Sequence, residues 1–244
     1  MRTIGLIGGM SWESTQEYYR IINQRVRERL GGLHSAQCIL YSVDFEKVER
    51  LQRKGEWRRL AKLMASIARK LEDAGAQGIV ICSNTMHKAA EDVQKSLNIP
   101  LIHMVDATAV EIERRGLRKI ALLGTRFTME DEFYRRRLKE KHGIETIIPG
   151  EKDRAETHRI IYRELCRGIL KQSSRRQLAG IVKKLAARGA QGVILGCTEL
   201  PLLLKQEDAA IPLFNTTEIH AKAAVDYMLS QPTRGAARRF KHAR

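Results

Sequence analysis

A chain of 244 residues, 43% hydrophobic and 30% charged, carries enough apolar sequence to bury a large α/β core. No apolar run approaches the roughly 20 residues needed to cross a bilayer, so a spanning helix is excluded and a soluble protein is expected. The formal charge of +16 invites a nucleic-acid role. Five of those charges sit in Arg234, Arg238, Arg239, Lys241 and Arg244, and the others are scattered over stretches such as 25 to 29 and 135 to 141, mixed with Glu and apolar positions as on solvated helix faces. Nucleic-acid binding is therefore not expected, and the positive field is read as an attractant for small anions.

In chain order, Met1-Arg2-Thr3 leads at once into a strand-like run at 3 to 8, which leaves no room for a secretory leader and points to the cytoplasm. Short apolar runs then alternate with helical periods, the pattern of βα units around a parallel sheet. Strands are expected at 3–8, 37–43, 78–82, 101–103, 119–124, 146–148, 192–196 and 213–215. Helices are expected at 14–30, 57–74, 85–97, 106–115, 128–141, 154–170, 174–188 and 217–229. The strands lack polar alternation and should be buried on both faces. Residues 231–244, rich in Arg, Gly and Ala, are expected to be a disordered basic tail. Cys38, Cys82, Cys166 and Cys197 show no CxxC spacing, so neither a zinc site nor a disulfide framework is indicated.

The chain repeats itself. Gly75-Ala76-Gln77-Gly78 before Ile79-Val80-Ile81 returns as Gly189-Ala190-Gln191-Gly192 before Val193-Ile194-Leu195, an offset of 114 that sets Ser83 against Cys197. Thr3 to Gly9 matches Lys119 to Thr125 at an offset of 116. Two copies of roughly 100 residues indicate two pseudo-symmetric open parallel-sheet lobes with helices on both faces, rather than a solenoid. Proline segments near 100 and 212 suggest that the first lobe holds residues 1–98 plus 212–230 and the second 99–211.

In open α/β sheets the ligand crevice lies at the carboxyl ends of the strands, so the site is expected between the lobes, where Ser83 and Cys197 fall. The residues after each, Asn84-Thr85 and Thr198-Glu199, are expected to begin helices whose free N–H groups favour an anion. Cys197 at such an end should have a lowered pKa and serve as base. Ser83 can be a proton partner or simply a helix N-cap, and the spacing does not choose. Gly8-Gly9-Met10-Ser11 allows a close backbone approach, or just a tight turn, and Gly124-Thr125 is its repeat partner. His87, His103 and His220 show no metal spacing and are read as structural. No phosphate-binding loop and no singled-out lysine is present, so no cofactor or metal is expected.

Three stretches in order, Gly5 to Thr15, Asn84-Thr85-Met86-His87-Lys88 and Gly196-Cys197-Thr198-Glu199, make residues 1–230 resemble the aspartate/glutamate racemase family, cofactor-independent enzymes with one catalytic group from each of two lobes. The resemblance implies that Cys197 is one base and position 83 the other. Most members carry Cys there; Ser83 is similar to the L-aspartate/glutamate-specific subgroup, whose partner is also a hydroxyl residue, usually Thr. Substrate contacts are then implied at Met10, Ser11, Gln52, Asn84, Thr85, Thr125, Thr198 and Glu199. The resemblance also implies a homodimer and a small acidic amino acid, aspartate or glutamate, as substrate. Related decarboxylases and isomerases of small dicarboxylic acids, or an amino-acid-binding module of low activity, are the alternatives.

Overall fold

The computed structural model describes residues 1–230; the basic tail lies outside them. The first lobe opens with β1 (Ile4–Gly8), α1 (Trp12–Leu30), β2 (Cys38–Ser42), α2 (Phe45–Arg53), α3 (Trp57–Asp73) and β3 (Gly78–Ile81). A 3-10 turn at Thr85–Ala89 and α4 (Ala90–Lys95) lead to α5 (Met104–Arg114), which runs into the second lobe. That lobe contains β4 (Lys119–Gly124), α6 (Arg126–Glu130), α7 (Glu132–His142), β5 (Glu145–Ile147), α8 (Glu151–Arg163), α9 (Gln172–Ala187), β6 (Val193–Gly196), α10 (Leu200–Leu203) and β7 (Leu213–Asn215). The described chain closes with α11 (Thr216–Leu229). The sheets run β2-β1-β3 and β5-β4-β6-β7, parallel throughout. The α/β architecture of two parallel sheets flanked by helices is the one the βα alternation predicts.

Every residue of β1, β3 and β6 is buried. Because successive side chains leave a strand on opposite faces, each sheet feeds two cores. Ile7, Ile79 and Ile81 pack with Leu60, Met64 and Ile67 of α3. Ile4, Leu6, Val80 and Cys82 point the other way, onto Tyr18, Ile22 and Val26 of α1 and Val225 and Met228 of α11. In the second lobe Ala121, Leu123, Val193 and Leu195 meet α8 and α9, while Ile120, Leu122, Ile194 and Phe214 meet α5 and α7. Each large aliphatic side chain so buried contributes about 1.5–3 kcal/mol relative to exposure. Helix α1 shows how the sequence directs this. Tyr18, Ile21, Ile22 and Val26 recur at the three- and four-residue spacing of one helical face, Ser11 caps its start and Gly31 at φ 74° ends it.

Several expectations are corrected. Residues 213–215 belong to the second sheet, where Val193, Ile194 and Leu195 pair with Leu213, Phe214 and Asn215; only α11 returns to pack on the first lobe. Leu101 makes a single bridge to Ile79, at the edge of the first sheet, so it lies with the first lobe rather than the second. The helix expected at 128–141 breaks at Asp131, which is extended and pairs with Lys88 at 2.7 Å. The helix expected at 154–170 stops at Arg163, beyond which buried Glu164 turns back to Arg159 and Ser174. Helix α2 was not anticipated, and the helix expected to begin at Thr198-Glu199 amounts to only the four residues of α10.

Three histidine rings meet edge to face where β3, α5 and α11 come together, His87 with centroids 4.8 Å from His103 and 5.5 Å from His220. His87 Nε2 accepts from the Met104 N–H at 3.1 Å, so Nδ1–H donates to the Ser83 carbonyl at 2.7 Å. His220 Nε2 donates to the Ile102 carbonyl at 2.7 Å, leaving Nδ1 to accept from the Tyr18 hydroxyl at 2.9 Å. His103 Nδ1 caps α5. All three are neutral, since burial pushes each pKa from the ordinary 6.5 down to about 3.

Between these values the unfolded chain binds protons that the native chain does not, so stability is full above about pH 6.5 and falls as the pH drops toward 3, by up to about 1.4 kcal/mol per pH unit for each histidine. Urea midpoints measured between pH 7.5 and pH 4.5 should decline accordingly, and a flat series would show that the rings are not held neutral. At the strand ends, a Cβ on Gly124 would lie 2.6 Å from the Gly196 carbonyl oxygen. Gly124→Ala should cost about 1–3 kcal/mol through overpacking, read as a lowered Tm, and an unchanged Tm would show that the two strand ends can part freely.

Candidate active site

The strands place the site. β3 and β6 end on the side where the two lobes face each other, and the chain presents Ser83 two residues beyond the first and Cys197 one residue beyond the second. Both side chains line one interlobe cavity, together with Met10, Asn84, Thr85 and Thr125. Gln52, Thr198 and Glu199 line it as well. Ser11 stands behind this wall as the N-cap of α1 and reaches the cavity through Glu199.

Glu199 is 2% exposed and is held entirely by neutral donors. Its Oε1 accepts from the Ser11 hydroxyl at 2.8 Å and the Ser11 N–H at 3.3 Å, across the lobes. Its Oε2 accepts from the Cys197 thiol at 2.8 Å and the Thr198 hydroxyl at 3.0 Å. Burial, and next the Glu199 carboxylate, push the Cys197 thiol well above the ordinary cysteine value. That reverses the expectation of a lowered pKa. The reason is geometric: the chain after Cys197 turns before forming only the four residues of α10, so no long helix aims its dipole at the sulfur, while a carboxylate lies against it. After Ser83 the helical segment is likewise a 3-10 turn followed by the six residues of α4. The long helix whose N-terminus meets the site is α1, signalled in the sequence by Ser11 ahead of an apolar-periodic run.

Ser83 Oγ accepts from the Met86 N–H at 3.4 Å, a capping contact, so the N-cap reading of Ser83 describes part of what it does. Asn84 is 3% exposed; its Nδ2 donates to Thr216 Oγ1 at 3.0 Å and its Oδ1 has no hydrogen-bond partner among the described residues. Thr85 and Thr125 join hydroxyls across the lobes at 2.9 Å. Gln52 Oε1 accepts from the Tyr162 hydroxyl of the opposite lobe at 3.1 Å.

Phe45, Ile161, Tyr162 and Cys166 also line the cavity and went unrecognised in the sequence. Phe45 opens α2 after the capping Asp44. The signal was the stretch 44–56, long for a structureless connection in a compact domain. Tyr162 and Cys166 carry no local motif; they reach the site because α8 ends beside it, with Tyr162 stacked on Phe45 at 6.4 Å. Outside the cavity, Lys88 pairs with Asp131 and lies 3.9 Å above the Trp57 ring, which meets Phe127 edge-on at 5.2 Å, a clasp between the lobes.

Among the described residues no Lys, Arg or His lines the cavity, and the one acidic residue that does is Glu199. Among the described residues no group of three His, Cys, Asp or Glu is placed to hold a metal ion, and no helix is long and apolar enough to cross a membrane. The enclosed space is ≈ 20 Å³, room for about one water, so an amino acid enters only when the lobes part.

Residues 7–224 match the family model described as Asp/Glu/hydantoin racemase. The fold is similar to that of a Yersinia pestis protein described as a candidate Asp/Glu racemase, with 56% identity over 94% of this chain and 100% of that one and a TM-score of 0.88. An aspartate racemase homologue from Pyrococcus horikoshii is 38% identical over 94% and 100% of the two chains, with a TM-score of 0.81. The broad specificity amino-acid racemase RacX of Bacillus subtilis is 25% identical over 93% of this chain and 98% of its own length. The chain therefore belongs to the Asp/Glu/hydantoin racemase family, and its enzymatic class is that of an amino-acid racemase.

Proposed function

We propose that this racemase inverts Cα of a small acidic amino acid, aspartate or glutamate, with Cys197 working on one face of the substrate and Ser83 on the other. The observation that carries the reading is that a thiol from the second lobe and a hydroxyl from the first open into one interlobe cavity. In one direction the Cys197 thiolate takes the Cα proton, forming S–H and breaking C–H, and Ser83 returns a proton to the opposite face through a bridging water. The negative charge that grows on the substrate carboxylate meets the hydroxyls of Thr85 and Thr125, preorganised donors in a nearly closed space. Asn84 Oδ1, a buried acceptor without a partner, suits the substrate ammonium. Lobe closure excludes water from the carbanionic intermediate.

A broader substrate range is the second reading, favoured by the absence, among the described residues, of any cation on the cavity wall to pair with a side-chain carboxylate and by the apolar faces of Phe45 and Ile161. The broad specificity named for the Bacillus subtilis relative agrees with it. We assign the enzyme to the cytoplasm and to a homodimer on the same proposed footing.

Exchange of the Cα hydrogen in deuterated water, followed by NMR over a panel of acidic and neutral amino acids, decides between the two ranges. Exchange confined to aspartate and glutamate supports the first; equal or faster exchange of neutral side chains replaces it with the second. Cys197→Ala should lower exchange of either enantiomer about a thousandfold, as loss of a general base does, and unimpaired exchange would eliminate the scheme. Ser83→Ala should keep exchange in one enantiomer only. Ser83→Cys, by supplying a second thiol, should raise turnover of the D-enantiomer, and no change there would remove Ser83 from the proton path.

A further inference from the structure

Among the groups around the cavity, Glu199 is the one whose chemistry a role in substrate binding leaves unexplained. Both of its oxygens are already filled by the protein's own donors, from Ser11, Thr198 and Cys197, and the last of these is the sulfur that must become a base, at 2.8 Å. We propose, resting on the racemase assignment and on Cys197 as a base, that Glu199 is the internal acceptor of the Cys197 proton, so that the pair carries one proton and one negative charge whichever atom holds them.

The step balances within the pair. The Cys197 S–H bond breaks and an O–H bond forms at Glu199 Oε2, giving thiolate and carboxylic acid. The thiolate then takes the Cα proton, which leaves thiol and acid side by side and the negative charge on the substrate. The site gains no charge at either stage. The alternative, thiolate beside ionised Glu199, sets two anions in contact in a pocket without a cation. The burial and the neighbouring carboxylate that push the thiol pKa up oppose that alternative but not the transfer.

The surroundings suit a shared proton. Oε1 accepts from the Ser11 N–H and hydroxyl in either state, so the carboxyl is held in place while Oε2 changes. The titratable groups that face the pair are Tyr162 and Cys166 from the second lobe and Tyr18 of α1; Glu49 and Glu13 lie one shell out, near Tyr162 and Cys166 respectively. Burial raises Tyr162, Cys166 and Tyr18, so each stays neutral and none competes for the proton near neutral pH. Among the described residues no lysine, arginine or histidine on the cavity wall offers the thiolate an alternative stabilisation. Glu199 touches the base and not the reacting carbon, and is therefore a positioning and proton-holding residue.

The test is the pH dependence of two rates between pH 6 and pH 9: Cα hydrogen exchange, and alkylation of Cys197 by iodoacetamide read by peptide mass mapping. A thiol that hands its proton to an internal acceptor is insensitive to bulk pH in this range. Both wild-type rates should therefore change less than about threefold. In Glu199→Gln the proton must leave to solvent, and both rates should rise about tenfold per pH unit until the thiol titrates. Glu199→Asp, which keeps the carboxylate, should keep the flat profile at a reduced rate and serves where Glu199→Gln folds poorly. A wild-type alkylation profile that climbs tenfold per unit, or a Glu199→Gln profile as flat as wild type, overturns the proposal. A flat wild-type alkylation profile with no Cα exchange from any amino acid supports the thiol–carboxylate pair and overturns the racemase reaction proposed for the site, so the two failures are told apart.

Discussion

Glu199 is a buried carboxylate with no cation beside it among the described residues, and the arrangement around it makes sense as the means of satisfying it. An ionised carboxyl taken out of water costs several kcal/mol unless hydrogen bonds replace its hydration. Four donors do so here: the Ser11 N–H and hydroxyl from the first lobe, and the Cys197 thiol and Thr198 hydroxyl from the second. Hydrogen bonds to a charged group are each worth about 1.5–3 kcal/mol, so parting the lobes removes a substantial share of what holds the anion. The carboxylate thereby couples the state of the Cys197 sulfur to the closure of the cleft.

The same closure is reinforced by contacts of quite different character. Hydroxyls of Thr85 and Thr125, the Tyr162–Gln52 bond and the Lys88–Asp131 pair with its aromatic neighbours all cross between the lobes. The lobes therefore close on a space of ≈ 20 Å³, which a substrate can occupy only by replacing some of these bonds with its own. The contacts most easily replaced are the polar ones on the cavity wall, because an amino acid brings carboxylate acceptors and ammonium donors of the same kind. The outer clasp at Lys88 and Trp57 is free to persist, since it does not line the cavity.

Rigidity behind the cavity is supplied by neutral histidines rather than by ion pairs. His87 ties the Ser83 carbonyl to the first turn of α5, and His220 of α11 ties the Ile102 carbonyl to Tyr18 of α1, so the backbone that carries Ser83 is fixed to α5 and the segment leading into α5 is fixed to α1 and α11. Each ring uses both nitrogens in one tautomer, which is possible only while it is uncharged. Gly124 and Gly196 let the β4 and β6 ends approach within the reach that Thr125 and Cys197 need to share one crevice.

Much of this was legible in the sequence because the information is local or repeated. Alternating apolar runs give two-sided burial, the 114-residue repeat sets Ser83 against Cys197, and the strand-end rule places both in a crevice. The residues implied as substrate contacts, apart from Ser11, fall on the cavity wall for that reason. What sequence did not reach depends on distances between segments far apart in the chain. Phe45, Tyr162 and Cys166 arrive through packing of α2 against the end of α8, and β7 joins the second sheet because its partner β6 is there, although α11 directly after it packs in the first lobe. The thiol pKa was misread for the same reason. Chain position placed Cys197 at the start of a helical segment, but the sign of its shift is set by how short that helix is, by burial and by a carboxylate two residues on that folds back to 2.8 Å. Sequence alone determined which residue types meet at the strand ends. Tertiary structure decided their protonation, because desolvation and short-range charge depend on three-dimensional neighbours that no single segment specifies.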